Sequence, residues 1–135
     1  MCFTKKGVIT GIVAGITFEI LGFLMMFGFP AQNEWYSQIF SDMMTTSGML
    51  TTIISGFVVA FFAGAFYDTV NKVVKGKGWK KGAMYGLAIW VLAGTMWPIM
   101  MLSFAPMNIL VTEWVLNIIT YVLVGIVIAT VHKKL

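Results

Sequence analysis

The sequence predicts an all-α integral membrane protein, a bundle of four transmembrane helices, and three observations lead to this prediction. Hydrophobic residues make up 59% of the 135 residues and charged residues only 10%, whereas about a quarter of the residues in soluble domains are charged. The apolar residues form four runs, each long enough to supply the roughly 20 residues that cross a bilayer. The lysines lie at the ends of these runs or between them. We therefore take residues 1–135 as a single membrane domain.

The four predicted transmembrane helices cover residues 7–29, 49–70, 79–104 and 109–131. The first run follows Lys5 and Lys6, a charged start that also introduces secretory signal peptides. Its 23 apolar residues exceed the roughly 7–15 of a signal peptide's apolar core. We therefore interpret this run as a retained helix.

The loop between the first two runs, residues 30–48, is predicted to contain a short helix that lies in the membrane interface. Pro30 ends the first helix, and Asn33 is expected to cap a new helix that begins at Glu34. Apolar side chains then recur at helical spacing, with aromatic rings suited to the headgroup region. They are Trp35, Tyr36, Ile39, Phe40, Met43 and Met44. This segment is interpreted as a lid over the bundle, and a docking surface for another membrane subunit is the alternative.

The lysines predict the orientation of the chain. All nine basic residues are lysines, at positions 5 and 6, between 72 and 81, and at 133 and 134. Cytoplasmic loops carry the excess of basic residues, so both termini and the middle loop are predicted to be cytoplasmic, with the chain in the cytoplasmic or plasma membrane. Anionic headgroups attract such lysines, which accounts for the net charge of +4. Membrane lipids are therefore predicted partners, and nucleic acids are not.

Two similar helical hairpins, residues 5–72 and 79–134, are predicted from a repeated pattern. Both start with KKGxxxG, at residues 5–11 and 80–86. Both end with GxxxxTV, then Asn or His, then Lys, at residues 64–72 and 125–133. Since both hairpins begin and end on the same side, the pattern indicates a tandem repeat about an axis along the membrane normal. Chance matches of Gly and Lys are the alternative.

Small residues recur every four positions along the runs, which places them on one face of each helix. Such faces let membrane helices approach closely and pair by packing. They therefore indicate which side of each helix points into the bundle. The predicted packing positions are Gly7, Gly11, Gly15, Gly56, Gly64, Gly82, Gly86 and Gly125.

Glu19 is the candidate functional residue, because it lies inside the first apolar run on the glycine face. A carboxyl group at bilayer depth costs about 2.5–3.5 kcal/mol on insertion scales, so it marks a functional site by default. Trp90 and Tyr121 are expected at a similar depth, with Asn117 one turn farther out, and Tyr121 or Asn117 can hydrogen-bond the carboxyl group. The predicted polar site can tie two helices together, exchange protons or bind a cation, or contact a partner or cofactor.

The stretch AGITFEILGFLM, residues 14–25, resembles the first helix of small multidrug resistance transporters. Glu19 and Gly22 carry the resemblance. It implies a four-helix protein in which a glutamate on the first helix exchanges protons for cationic drugs. By this resemblance, Glu19 would be the proton-exchanging residue of a small transporter.

Catalytic and metal-binding motifs are absent from the sequence. The chain holds one cysteine, Cys2, and one histidine, His132, too few for an internal disulfide, a CxxC redox centre or a bis-histidine haem. No GxSxG, HExxH or phosphate-binding loop occurs. Met96 and Met100 have a spacing that suits Cu(I), although methionine more commonly fills apolar gaps. We therefore predict no enzyme activity, no metal site and no cofactor.

These observations predict a small non-catalytic membrane protein with a buried polar site around Glu19. The most favoured role is an accessory or scaffolding subunit of a membrane complex or of its own homo-oligomer. A small proton-coupled transporter that uses Glu19 is the alternative. Other membrane subunits, or further copies of this chain, are the predicted protein partners.

Overall fold

The computed structural model describes residues 4–41 and 45–135, and all regular structure in these ranges is helical. Three helices are long and apolar enough to cross a membrane, namely α1, α3 and α6. The prediction of an all-α protein is thereby confirmed, and these three helices could span a membrane. The helices, in chain order, are α1 (Lys5–Gly28), α2 (Pro30–Ile39), α3 (Thr46–Val70), α4 (Trp79–Ile89), α5 (Met96–Met101) and α6 (Met107–Lys134).

The third apolar run is helical but interrupted. A π-helical turn (Trp90–Gly94) separates α4 from α5, and the amide of Thr95 bonds the carbonyl of Trp90 at 2.9 Å. Proline has no N–H, and its ring clashes with the carbonyl four residues earlier. For the buried Pro98 that carbonyl belongs to Gly94. A proline at this position disfavours a regular α-helix through Gly94, and the π-helical turn ends at that residue.

Helix α2 corrects one detail of the predicted interfacial helix. The helix begins at Pro30 rather than Glu34, its N-cap is Phe29, and no side chain caps it. The expectation that Asn33 caps this helix is therefore wrong. The physical reason is that proline, with its fixed φ and missing N–H, suits the first position of a helix. The predicted continuation through Met43 and Met44 lies outside the described residues.

The packing order of the long helices follows from their contacts. Helix α1 packs along both α3 and α6, and α6 packs along α4 as well. The Tyr85 hydroxyl on α4 donates to the Ala63 carbonyl on α3 at 2.5 Å, and the Tyr67 and Tyr85 rings lie 4.7 Å apart. These contacts close the bundle near its lysine-bearing end, the end at which α1 and α4 start and α3 and α6 finish.

Polar side chains join three helix termini at the lysine-bearing end. The Thr4 hydroxyl accepts the Gly7 amide at 3.0 Å, which caps α1, and it also donates to the Asp68 carboxyl group at the end of α3. His132 Nε2 on α6 lies 2.7 Å from Asp68 Oδ1. His132, the one histidine of the sequence, thus pairs with Asp68 and helps to hold the ends together.

Glycines bring the helix backbones into contact in two helix pairs, α1 with α3 and α4 with α6. A Cβ atom on Gly11 would lie 2.6 Å from the Phe61 carbonyl oxygen, and one on Gly64 would lie 2.7 Å from Gly11 Cα. Between α4 and α6, a Cβ atom on Gly82 would lie 2.6 Å from the Gly125 carbonyl oxygen. Gly125 in turn lies against Gly86, with its Cβ position 2.6 Å from Gly86 Cα. Side chains larger than hydrogen do not fit at these positions.

Candidate functional site

A cavity of about 480 Å³ lies at the end of the bundle opposite the lysines, beneath α2. All helices except α4 contribute side chains to it. Its walls are mainly aromatic rings and methionines, with a few polar groups. The lining residues used below are Phe18, Gly22, Phe23, Met26, Gln32, Asn33, Tyr36, Phe40, Met49, Trp97, Glu113, Asn117 and Tyr121.

A carboxyl group and an amide anchor α2 to α6 at this cavity. Gln32 is the buried residue of α2. Its Nε2 donates to Glu113 Oε2 at 2.6 Å and to the Ile109 carbonyl at 3.4 Å. Hydrogen bonds to a carboxyl group are among the strong ones in proteins. This contact therefore fixes α2 as a cover and holds the Glu113 side chain at the cavity wall.

Aromatic side chains form the wall between α2 and α5. Trp97 Nε1 donates to the Tyr36 hydroxyl at 2.9 Å, and that hydroxyl donates to the Met101 sulfur at 3.8 Å. The Trp97 ring stacks on Tyr36 and lies 5.6 Å from the Phe40 ring. Burial, and next the nearby Glu113 carboxyl, raise the pKa of Tyr36. The phenol therefore remains a neutral hydrogen-bond donor at physiological pH.

Two amide oxygens at the cavity lack hydrogen-bond donors. The Oδ1 atoms of Asn33 and Asn117 are buried and have no partner among the described residues. Buried acceptors are nearly always satisfied in folded proteins, so each exception needs an explanation. Both residues line the cavity, and a molecule that carries N–H or O–H groups would supply the missing donors.

Glu19 lies in a separate, adjoining groove between α1 and α3. Its Oε1 is buried without a hydrogen bond and lies 2.5 Å from the position of a Cβ atom on Gly56. The hydrogen bond expected from Tyr121 or Asn117 to Glu19 is absent from the described part of the structure. The cause is position: the Tyr121 ring packs edge-on against Phe18, and Asn117 Oδ1 lies beside Gly94 in the π-helical turn.

Three predicted site residues meet at the π-helical turn instead. A Cβ atom on Gly94 would lie 2.6 Å from Trp90 Cδ1, 2.8 Å from Tyr121 Cε2 and 2.9 Å from Asn117 Oδ1. Trp90 Nε1 is buried and makes no hydrogen bond among the described residues. The structure thus brings Trp90, Asn117 and Tyr121 together around Gly94, and it leaves Glu19 in the neighbouring groove, where Tyr121 is the shared wall.

Two further predicted packing positions, Gly7 and Gly15, lie where α1 packs against α3. A Cβ atom on Gly7 would lie 3.1 Å from the Ala65 carbonyl oxygen, and one on Gly15 would lie 2.6 Å from the Phe57 ring. Gly22, which carries part of the transporter resemblance, has nothing within 4 Å of its Cβ position. Met96 and Met100 are 66% and 58% exposed. The described residues contain no group of three His, Cys, Asp or Glu placed to hold a metal ion.

Sequence reasoning missed Gln32, Asn33 and Glu113 as site residues. One signal was present for Glu113, because it begins a stripe of residues spaced by four on the last helix, followed by Asn117 and Tyr121. A second carboxyl group on an inward face of a membrane helix is itself a functional indication. Gln32 has no comparable signal, because its partner lies 81 residues away in the chain.

No protein-family model, curated protein or solved structure matches this chain. The resemblance to small multidrug resistance transporters therefore rests on residues 14–25 alone.

Proposed function

We propose that this chain is a small non-catalytic membrane protein that crosses the bilayer four times and serves as an accessory or scaffolding subunit. The fourth crossing would be the segment from Trp79 to Met101, which runs beside α6 as α4, the π-helical turn and α5. At about 1.5 Å per residue, this length is sufficient for the hydrocarbon core, which is roughly 30 Å thick. Membrane lipids would contact its exposed apolar faces.

The lysines and the glycine contacts support the proposed topology. All nine lysines lie near the end where Thr4, Asp68 and His132 meet, so one side of the membrane would carry both termini and the middle loop. By the positive-inside rule that side is the cytoplasm. Gly11 meets Gly64 in one hairpin, and Gly86 meets Gly125 in the other. These matching contacts support a tandem repeat of two hairpins.

The topology can be tested with two single-cysteine variants in a Cys2→Ser background. Lys77 and Ser37 are both exposed, and they lie at opposite ends of the bundle. A membrane-impermeant maleimide added to intact cells should label Ser37→Cys and should label Lys77→Cys only after lysis. Labelling of Lys77→Cys in intact cells would contradict the proposed orientation.

The groove that holds Glu19 is the observation that carries the subunit role. It opens on the outside of the bundle, where Gly22, Thr52 and Ser55 are exposed beside it. The buried Oε1 of Glu19 finds no partner within the described chain. Membrane helices associate through small residues and interhelical hydrogen bonds. A helix of another subunit, or of a second copy, would both fill this groove and supply a donor to Glu19.

Gly22 and Gly28 provide a matched pair of variants for this proposal. Neither has an atom within 4 Å of its Cβ position, so leucine at either site should leave the fold of the single chain intact. Gly22 lines the groove and Gly28 does not. Native mass spectrometry of the protein extracted with its membrane partners should show the assembly lost in Gly22→Leu and kept in Gly28→Leu. An equal assembly mass in both variants would contradict the docking role of the groove.

A small proton-coupled transporter remains the second candidate, because one observation favours it. Glu19 Oε1 is not engaged in a hydrogen bond that ties helices together, so this carboxyl group is free to exchange a proton. Its groove shares Phe18, Gly22 and Tyr121 with the cavity beneath α2. A substrate in the cavity would therefore lie beside the proton-exchanging group.

A further inference from the structure

We propose that the cavity beneath α2 is a binding site for a lipophilic ammonium, a molecule with at least one N–H on a cationic head and an apolar body. This inference goes beyond the subunit role, because its polar contacts are Glu113 and the two asparagines rather than Glu19, although the cavity and the groove share wall residues such as Phe18 and Tyr121. It assigns a ligand class from charge, hydrogen-bond capacity and wall chemistry.

Charge is the first argument. Glu113 is a carboxyl group at the cavity wall, and its hydrogen-bonding partners are two neutral groups, the Gln32 amide and the Tyr36 hydroxyl. The sequence contains no arginine, and its lysines lie at residues 5–6, 72–81 and 133–134, toward the opposite end of the bundle. Within residues 4–41 and 45–135, the recorded ion pair joins His132 to Asp68, far from the cavity. The charge that complements Glu113 would therefore come from a ligand.

Hydrogen-bond capacity is the second argument. Among the described residues that line the cavity, the unsatisfied polar atoms are the Oδ1 atoms of Asn33 and Asn117, and both are acceptors; the unsatisfied donor Trp90 Nε1 does not line the cavity. Glu113 adds a third acceptor group from the same helix as Asn117, one turn away. A cavity whose unpaired polar atoms are hydrogen-bond acceptors favours a ligand that carries hydrogen-bond donors. An ammonium carries only donors, so it satisfies these atoms without bringing an unpaired acceptor of its own.

The walls are the third argument. Aromatic rings attract cations through their electron-rich faces, and six line the cavity, namely Phe18, Phe23, Tyr36, Phe40, Trp97 and Tyr121. The volume of about 480 Å³ is typical of pockets for small organic ligands, roughly 300–1,000 Å³. Met26 and Met49 on its rim are 36% and 42% exposed. A lipophilic amine or the ammonium headgroup of an ethanolamine lipid could enter there from the bilayer.

Dansylcadaverine is a suitable probe, because it combines a primary ammonium with an apolar ring that accepts energy from tryptophan. The full chain would be reconstituted in phosphatidylcholine nanodiscs, and energy transfer would be followed as the probe is added. We expect saturable binding, weakened by about tenfold or more in Glu113→Gln, since a hydrogen bond to a charged group is lost. Glu34→Gln is the matched control, because Glu34 is exposed on α2, and it should bind like the wild type.

Two further measurements separate binding from folding and identify the source of the ammonium. Asn117→Leu removes an acceptor and leaves the Gln32–Glu113 bond in place, so it should also weaken binding, even if Glu113→Gln fails to fold. A dansyl probe with a pentyl chain and no amine should show no saturable signal. Competition by added ethanolamine lipid would identify the headgroup as the occupant, and lack of competition would identify a free amine.

Three results would overturn the proposal. They are equal affinity in the wild type and in a folded Glu113→Gln variant, equal affinity for the amine-free probe, and loss of binding in Glu19→Gln but not in Glu113→Gln. The last result would place the cation in the groove beside Glu19 instead of the cavity.

Discussion

At the lysine-bearing end the helices touch through glycine backbones, whereas at the α2 end aromatic side chains surround a cavity of about 480 Å³. Gly11 and Gly64 meet at the first end, as do Gly86 and Gly125. At the second end, Gln32 reaches across to Glu113 and polar atoms remain unpaired. The contrast separates a half of the bundle built for tight association from a half that retains space and polar groups.

This difference has an energetic basis. Membrane helices gain stability from close van der Waals contact, because lipid tails are as apolar as the helix surfaces. An unpaired buried polar atom costs about 1–3 kcal/mol. Asn33 and Asn117 leave such atoms at the α2 end, and the tight glycine contacts at the opposite end can offset this cost. The α2 end is therefore the less stable half of the bundle, and it is the half where we expect function.

The π-helical turn marks the boundary between the two halves. It lies at Trp90–Gly94, after the tightly packed α4 and before the aromatic α5. Such turns inside α-helices are frequently found at functional sites. Here the turn places Gly94 against the side chains of Tyr121 and Asn117. Before the turn, α4 contacts α6 through glycine backbone atoms; from the turn onward, the contacts with α6 are made by side chains.

The largest effect is expected for Gly86→Leu at the lysine-bearing end. A Cβ atom there would lie 2.9 Å from both Tyr121 C and Val122 Cα, and backbone atoms cannot rotate away. We expect a loss of about 3 kcal/mol in unfolding free energy, the upper end of what overpacking usually costs. Unfolding in mixed micelles of increasing denaturing detergent would measure it. The control is Gly22→Leu, where nothing lies within 4 Å of the Cβ position, so the unfolding free energy should not change. An equal loss of unfolding free energy in both variants would show that the glycine contacts do not distinguish the two halves.

A smaller effect is expected for Glu113→Ala at the α2 end. It leaves the Gln32 amide, which is buried, with only the longer 3.4 Å bond to Ile109. The expected loss is about 1–2 kcal/mol, confined to the attachment of α2. A cysteine at Ser37 should then react faster with maleimide, while the hairpin contacts persist. The exposed Glu34→Ala serves as the control, and an unchanged rate in Glu113→Ala would show that this bond does not hold α2 in place.

Much of the helical architecture could be predicted from the sequence because apolar length and charge position act locally. The runs at 7–29, 49–70 and 109–131 correspond to α1, α3 and α6 within a few residues at each end. Helix α2 was predicted to exist, but its start was misplaced because Asn33 was read as a cap when Pro30 begins the helix. The interruption at residues 90–94 is a change of backbone hydrogen bonding inside an apolar run, and hydrophobic periodicity does not predict such a change.

The candidate site was less predictable because it depends on contacts between distant segments. Glu19 stands out in an apolar run, yet its neighbours are set by how α1 and α3 pack. The Gln32–Glu113 bond joins residues 81 positions apart, and the sequence showed only that Glu113 shares a face with Asn117 and Tyr121. The missing hydrogen bond to Glu19 shows that similar depth in the membrane does not bring side chains together.

The smallest effect on stability is expected for Glu19→Gln, and this variant separates the two candidate functions. Since the buried Oε1 of Glu19 accepts no hydrogen bond in the described structure, an amide of the same shape should change the unfolding free energy by less than about 0.5 kcal/mol.

In the subunit role, assembly should survive, because glutamine can still hydrogen-bond a partner helix. In the transporter role, the same variant should fold normally but lose pH-driven uptake of a substrate into proteoliposomes, because an amide cannot carry the proton. We expect assembly and stability like the wild type; a folded variant that assembles normally but loses uptake would favour the transporter over the subunit.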